Sequence, residues 1–85
     1  MTAREVAVAR EIRRLAREEL QLSIEADDHE ELAGSLDSLA LLSLVVAVED
    51  RFRVILTEED AALTRSLADL ARVVASRTQE AVASP

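Results

Sequence analysis

Between Leu36 and Phe52 the chain runs for seventeen residues through Leu, Val and Ala without a Gly or a Pro. That is too long for an ordinary strand and long enough for four turns of helix. On a helical wheel Leu41, Leu44, Val45, Val48 and Phe52 share one face, the core stripe. The opposite face holds Leu39, Ser43, Val46 and Asp50, with Ala40 and Ala47 to one side. A surface helix carries mostly charge there, whereas this one carries two bulky apolar residues, Leu39 and Val46. The stretch is too short to cross a bilayer. It must therefore pack on other helices through one face and offer the other to a cover. An 85-residue chain has little left to supply one, so a partner is expected. Asp37-Ser38 opens the stretch, and Ser38 by itself reads as a helix cap, its oxygen accepting from a first-turn amide.

The remainder of the chain supports helices around this one. There is one Gly, one Pro and one aromatic residue, Phe52, and there is no Cys to supply a disulfide or a thiolate ligand. Thr2-Ala3-Arg4-Glu5 has the form of a capping box, predicting a first helix from about Ala3. Val8, Ala9, Ile12, Leu15, Ala16 and then Leu20 follow on one face. Arg10, Arg13, Arg14 and Arg17 lie opposite as a solvated face balanced by Glu11 and Glu18. From Gln21 to Leu36 the periodicity fails, which predicts a sixteen-residue connection without regular structure. Its scattered Leu22, Ile24, Leu32 and Leu36 suggest that it packs across the bundle. Asp27-Asp28-His29-Glu30-Glu31 has oxygen donors but neither the spacing of a calcium loop nor a second His, so it reads as a solvated acidic loop. Arg53 to Leu56 is a short linker, and Thr57 starts a third helix of one to two turns. Ser66 caps a fourth, with Leu67, Leu70, Val73 and Val74 inward, Arg72 outward and Arg77 near its end. Residues 79–85 should form a frayed tail. The fold class expected is all-α: one domain over 1–85, a four-helix bundle with three longer helices, a short third helix and a long first loop.

Charge narrows the function further. Residues 1–20 hold five Arg against four Glu, residues 21–64 two Arg against eleven acids, and residues 65–85 three Arg against two acids. The segment charges are thus +1, −9 and +1, and the whole negative surplus surrounds Asp37-Ser38. That field opposes nucleic acid and anionic membrane and favours basic protein surfaces. His29 is the sole His with no triad around it, and no glycine-rich phosphate loop is present, so catalysis by the chain alone is not expected. Without a secretory segment, a soluble, monomeric, cytoplasmic protein is expected.

Asp37-Ser38-Leu39, followed by a helix ending Glu49-Asp50-Arg51-Phe52, resembles the attachment motif and recognition helix of acyl carrier proteins. The likeness spans nearly the whole chain, since the first helix, long loop, short acidic third helix and Ser66-Leu67 start of the last helix fall in family order. The three-residue motif alone is weak; in that company it is specific. The resemblance implies that a phosphopantetheinyl transferase esterifies the Ser38 hydroxyl with 4′-phosphopantetheine from coenzyme A. The arm then carries acyl groups as thioesters to partners such as a ketosynthase, an acyltransferase or a ligase. It also implies that Asp37 stands beside the group. Leu39, Val46 and Ala47 would form the apolar part of a partner surface that also takes in Ser43, and Glu49 and Asp50 its acidic part. Charge reversal at Glu49 or Asp50 is expected to weaken encounters with a basic partner and leave the fold intact. Ala40 and Ser43 stand where fatty-acid carriers place acids, Arg51 and Arg53 flank Phe52, and Thr57 replaces a usual proline. Those departures point to polyketide or other specialised biosynthesis rather than housekeeping fatty-acid synthesis. The alternatives are an aminoacyl or peptidyl carrier of the same fold, against which Asp37 before Ser38 counts, and a small helical interaction protein without a prosthetic group.

Overall fold

The computed structural model describes residues 2–24, 27–34 and 36–83, the last five of these by backbone alone. Its first helix, α1 (Ala3–Glu19), begins as the pattern predicts: the Glu5 amide donates to the Thr2 hydroxyl and the Thr2 amide to the Glu5 carboxylate. Val8, Ala9, Ile12, Leu15 and Ala16 are buried. On the outer side Glu11 accepts from Arg14 at 2.7 Å and from Arg51 at 2.8 Å, and Glu18 accepts from Arg14 at 3.5 Å. With the Arg14 bond as the largest influence and the Arg51 bond assisting, the Glu11 carboxyl is lowered to about 2. Arg51 lies in the next helix, α2 (Ser38–Phe52), so this network also ties α2 to α1.

A short helix, α3 (Glu58–Leu63), and a long last one, α4 (Leu67–Ala83), complete the set. At the start of α4 the Asp69 amide donates to the Ser66 hydroxyl and the Ser66 amide to the Asp69 carboxylate, the cap that Ser66 predicts. Ile12, Leu15, Leu32, Leu44, Val48, Leu67, Leu70 and Val74 form the fully buried centre, with Val73 only half-buried at its edge. α1 lies principally against α4 and secondarily against α2. Among the described residues there are four α-helices and no strand, and no helix is long and apolar enough to cross a membrane. The expected frayed tail falls on residues whose side chains lie outside the described set. α4 runs on to Ala83, however, so Arg77 stands within the helix and not at its end.

The long connection packs across the bundle, as its scattered apolar residues suggest, but is not without regular structure. It contains a 3₁₀ turn, Leu32–Gly34, and is held at several points. Arg13 donates to the Ile24 carbonyl at 2.9 Å and to the Asp28 carboxylate at 2.8 Å. The Asp28 carbonyl accepts from the Ala68 amide, and the Leu32 amide donates to the Arg65 carbonyl beside an isolated bridge between Glu31 and Ser66. Leu32 and Leu36 are buried, and Leu22 and Ile24 pack at the core's edge. Polar backbone that crosses a bundle must find partners, and the far helix ends supply them. The acidic run is thus part of the loop's anchorage. Among the described residues no three His, Cys, Asp or Glu side chains are arranged to hold a metal.

Both long helices that precede a turn end on a left-handed residue other than Gly: Gln21 after α1 and Arg53 after α2, each with φ of 56°. The Leu22 amide reaches back to the Ala16 carbonyl at 2.7 Å, and the amides of Arg53 and Val54 both reach Glu49. The second is a Schellman-type closure made without glycine, and the first is a wider loop of the same sense, one residue longer.

Candidate functional site

Asp37, not Ser38, is the cap of α2. Its carboxylate accepts from the Ala40 amide at 2.8 Å, and its carbonyl accepts from the Leu41 amide at 2.9 Å. This corrects the first reading of Ser38 as a cap. With Asp37 in that role, Ser38 occupies the first helical position, exposed, with no hydrogen bond to its hydroxyl among the described residues. The amides of Ser38 and Leu39 are likewise without a partner among the described residues. A free hydroxyl thus stands beside two free N–H groups at the positive end of a helix dipole.

The face of α2 that continues from Ser38 is apolar and open. Leu39 is 74% exposed, Leu42 60% and Val46 55%. The uncovered outward face expected from the wheel is therefore present. Leu42, which the wheel reading passed over, belongs to it. Its spacing, three after Leu39 and four before Val46, was the available signal. Ser43 and Ala47 are half-buried on the flank towards α1, where they line a shallow groove with Leu20 and Asp50.

The expected core stripe is corrected on the other flank. Of its five residues only Leu44 and Val48 are buried, while Leu41, Val45 and Phe52 are half-buried. The reason is α3: six residues long with none buried, it cannot cover the side of α2 that faces it. A cleft of about 250 Å³ remains between the two, lined by Ser38, Leu41, Leu42, Val45, Ala61 and Thr64. Its walls are chiefly apolar, and it opens beside the Ser38 hydroxyl.

The two neighbouring acids at the end of α2 separate. Asp50 is exposed. Glu49 is half-buried, and its carboxylate accepts from the Leu56 amide at 2.9 Å, fastening the linker that leads to α3. Glu49 therefore has a structural bond to lose, so reversing its charge bears on the linker as well as on the surface. Asp60 of α3 is engaged in the same way. The Thr57 amide bond, its largest influence, holds its carboxyl below the usual range with help from the Thr57 hydroxyl and Arg77.

The phosphopantetheine attachment site family matches residues 10–74 of the chain. Among solved structures, the 2.00 Å crystal structure of an acyl carrier protein from Thermotoga maritima resembles it with a TM-score of 0.75 and 23% identity. The match covers 93% of this chain and 95% of that one, and at such identity it is a likeness of fold. No curated protein sequence matches the chain at a significant level.

Proposed function

We infer the function from the premise that this chain belongs to the phosphopantetheine attachment site family, whose profile covers residues 10–74. It is a carrier with the acyl carrier fold and phosphopantetheine as its cofactor. The finer reading we propose is that Ser38 is the residue esterified, within a single carrier domain spanning 1–85. The observation that carries it is the division of labour at the start of α2: Asp37 does the capping and leaves the Ser38 hydroxyl free and exposed. The residues there fit a phosphodiester. The Ser38 and Leu39 amides can donate to it at the positive end of the helix, and the exposed site leaves room for an arm.

Bound to Ser38, 4′-phosphopantetheine would supply a terminal thiol that holds acyl groups as thioesters. What the chain's own residues do is offer, position and shield. Ser38 would supply the hydroxyl oxygen that bonds to the phosphorus of coenzyme A, its proton passing to the phosphopantetheinyl transferase and 3′,5′-ADP leaving. Asp37 fixes the first turn through Ala40. Leu39, Leu42 and Val46, with Ser43 and Ala47 on the flank and Asp50 at the far end, form the surface that a transferase and acyl-processing enzymes such as a ketosynthase, an acyltransferase or a ligase would meet. Glu49 adds charge at the edge of that surface while holding the linker. Catalysis is left to those partners. The chain is read as a cytoplasmic monomer.

A role in polyketide or other specialised biosynthesis is favoured over housekeeping fatty-acid synthesis by the make-up of this face. Ala40, Ser43 and Ala47 put no charge on it, and Asp50 is its one fully exposed acid. Incubation with coenzyme A and a broad-specificity phosphopantetheinyl transferase, followed by intact-mass measurement, tests the attachment. The wild-type chain should gain one arm and Ser38→Ala none. An unchanged wild-type mass with an active transferase, or a gain that survives in Ser38→Ala, defeats the reading.

A further inference from the structure

α3 is the least anchored helix of the bundle. None of its residues is buried, and Ala61, Ala62 and Leu63 face solvent, so apolar burial does little to hold it. One side chain from α4 does much of that work. Arg77 donates through Nη2 to both Asp60 carboxylate oxygens, at 2.9 and 2.8 Å, and through Nη1 to the Ile55 carbonyl at 2.9 Å. Asp60 is in turn the carboxylate of α3's capping box, paired with Thr57. The Thr64 hydroxyl donates to the Asp60 carbonyl at 2.6 Å and closes the other end. A single planar guanidinium thus grips the linker, the cap and the first turn of α3 together, a geometry that suits Arg and not Lys. The helix so held walls the Ser38 cleft through Ala61 and Thr64, while Arg77 itself does not line that cleft.

We propose that Arg77 is a positioning residue for the carried group: by pinning α3 it sets the width of the cleft between α2 and α3, and so the shielding of an aliphatic acyl end resting there. The proposal rests on the reading that Ser38 bears the arm. Leu41, Leu42, Val45 and Ala61 give the cleft an apolar lining, the chemistry that suits a saturated chain and not a polar one. Released from Arg77, α3 has no buried side chain to bring it back. The cleft then becomes open water-facing surface.

The test has two readouts. Hydrogen exchange on the unloaded chain compares wild type with Arg77→Gln. Amides 61–64 should exchange about tenfold or more faster in the variant, while those of Ile12, Leu15, Leu70 and Val74 keep their rates. The second readout loads Ser38 with acetyl- or hexanoyl-phosphopantetheine, transferred from acetyl- or hexanoyl-coenzyme A by the phosphopantetheinyl transferase with release of 3′,5′-ADP, and follows thioester cleavage by hydroxylamine. In wild type the hexanoyl form should be cleaved several-fold more slowly than the acetyl form, roughly the effect of keeping one methylene out of water. In Arg77→Gln that ratio should fall towards one with the acetyl rate unchanged. Arg77→Lys, which keeps the charge but not the fork, should give an intermediate ratio with the α1 and α4 amides undisturbed, and it guards against a variant that unfolds as a whole. Equal exchange at 61–64 in wild type and Arg77→Gln, or a wild-type hexanoyl-to-acetyl ratio in both variants, overturns the role of Arg77. A wild-type chain that accepts no arm overturns instead the Ser38 reading on which the shielding depends.

Discussion

Glu49 and Asp50 are adjacent acids at the end of α2, and removing each should have a different consequence. The Glu49 carboxylate accepts from the Leu56 amide at 2.9 Å, and the Glu49 carbonyl accepts from the amides of Arg53 and Val54. Val54 beside this turn is buried and Leu56 packs against the core, so the bond fastens a linker whose side chains belong inside. A hydrogen bond to a charged acceptor contributes about 1.5–3 kcal/mol when sheltered, and this one is only half-buried, so Glu49→Ala should cost roughly 1–2 kcal/mol. For a chain of this size that lowers Tm by about 5–10 °C. Glu49→Gln keeps an acceptor oxygen on a side chain of the same length and should lose about half as much. Asp50 is exposed and unengaged among the described residues, so Asp50→Ala should change stability by less than ~0.5 kcal/mol. Urea unfolding of the four proteins in one buffer measures the differences. In partner-transfer assays the order should reverse in meaning: Asp50→Arg slows transfer with stability intact, and Glu49→Arg slows it while also loosening the linker. Equal stability of Glu49→Ala and Asp50→Ala would refute the structural role given to Glu49.

Two further outcomes follow from the packing and the ion pairs. The Glu11 carboxyl is lowered to about 2 in the folded chain from an ordinary 4.5, so its contribution to stability is present above the unfolded value and is lost as pH falls from about 4.5 towards 2. The difference between wild type and Glu11→Gln should therefore be small, salt-sensitive because the pair is partly exposed, and should close over that window; a gap as wide near pH 2 as near pH 7 contradicts it. Leu44→Ala, at a fully buried site, should cost about 2–5 kcal/mol, whereas Leu42→Ala, 60% exposed, should stay within ~0.5 kcal/mol of wild type yet slow transfer from partner enzymes. Equal destabilisation by the two, read from urea midpoints, would show that the faces of α2 are assigned wrongly.

Much of the bundle was legible because helix signals in this chain are local. Thr2 with Glu5, Thr57 with Asp60 and Ser66 with Asp69 each announce a helix start within four residues, and each cap is present. The apolar spacing of α1 named its buried residues and that of α4 named Leu67, Leu70 and Val74, since helices bury what lies on their facing stripes, but it missed Ala68, Ala71 and Ala75 and counted the half-buried Val73. The loop was less legible. Its contacts join Asp28 to Arg13 and Ala68, and Leu32 to Arg65, pairings that no periodicity encodes.

The candidate site divides along the same line. Sequence alone determined that α2 begins at Asp37-Ser38 and that it is too apolar for the chain to cover, because both follow from residue order on one helix. Only the tertiary structure decided that Asp37 caps and Ser38 is free, since two adjacent polar residues compete for one set of amides and the backbone angle settles which prevails. It also decided that Glu49 turns to the linker while Asp50 faces solvent. The half-burial of Leu41 and Val45 depends on how much of α2 a six-residue helix can reach. And the grip of Arg77 on Asp60 joins residues seventeen apart, through a contact that exists only once the fold brings the first turn of α3 within reach of α4.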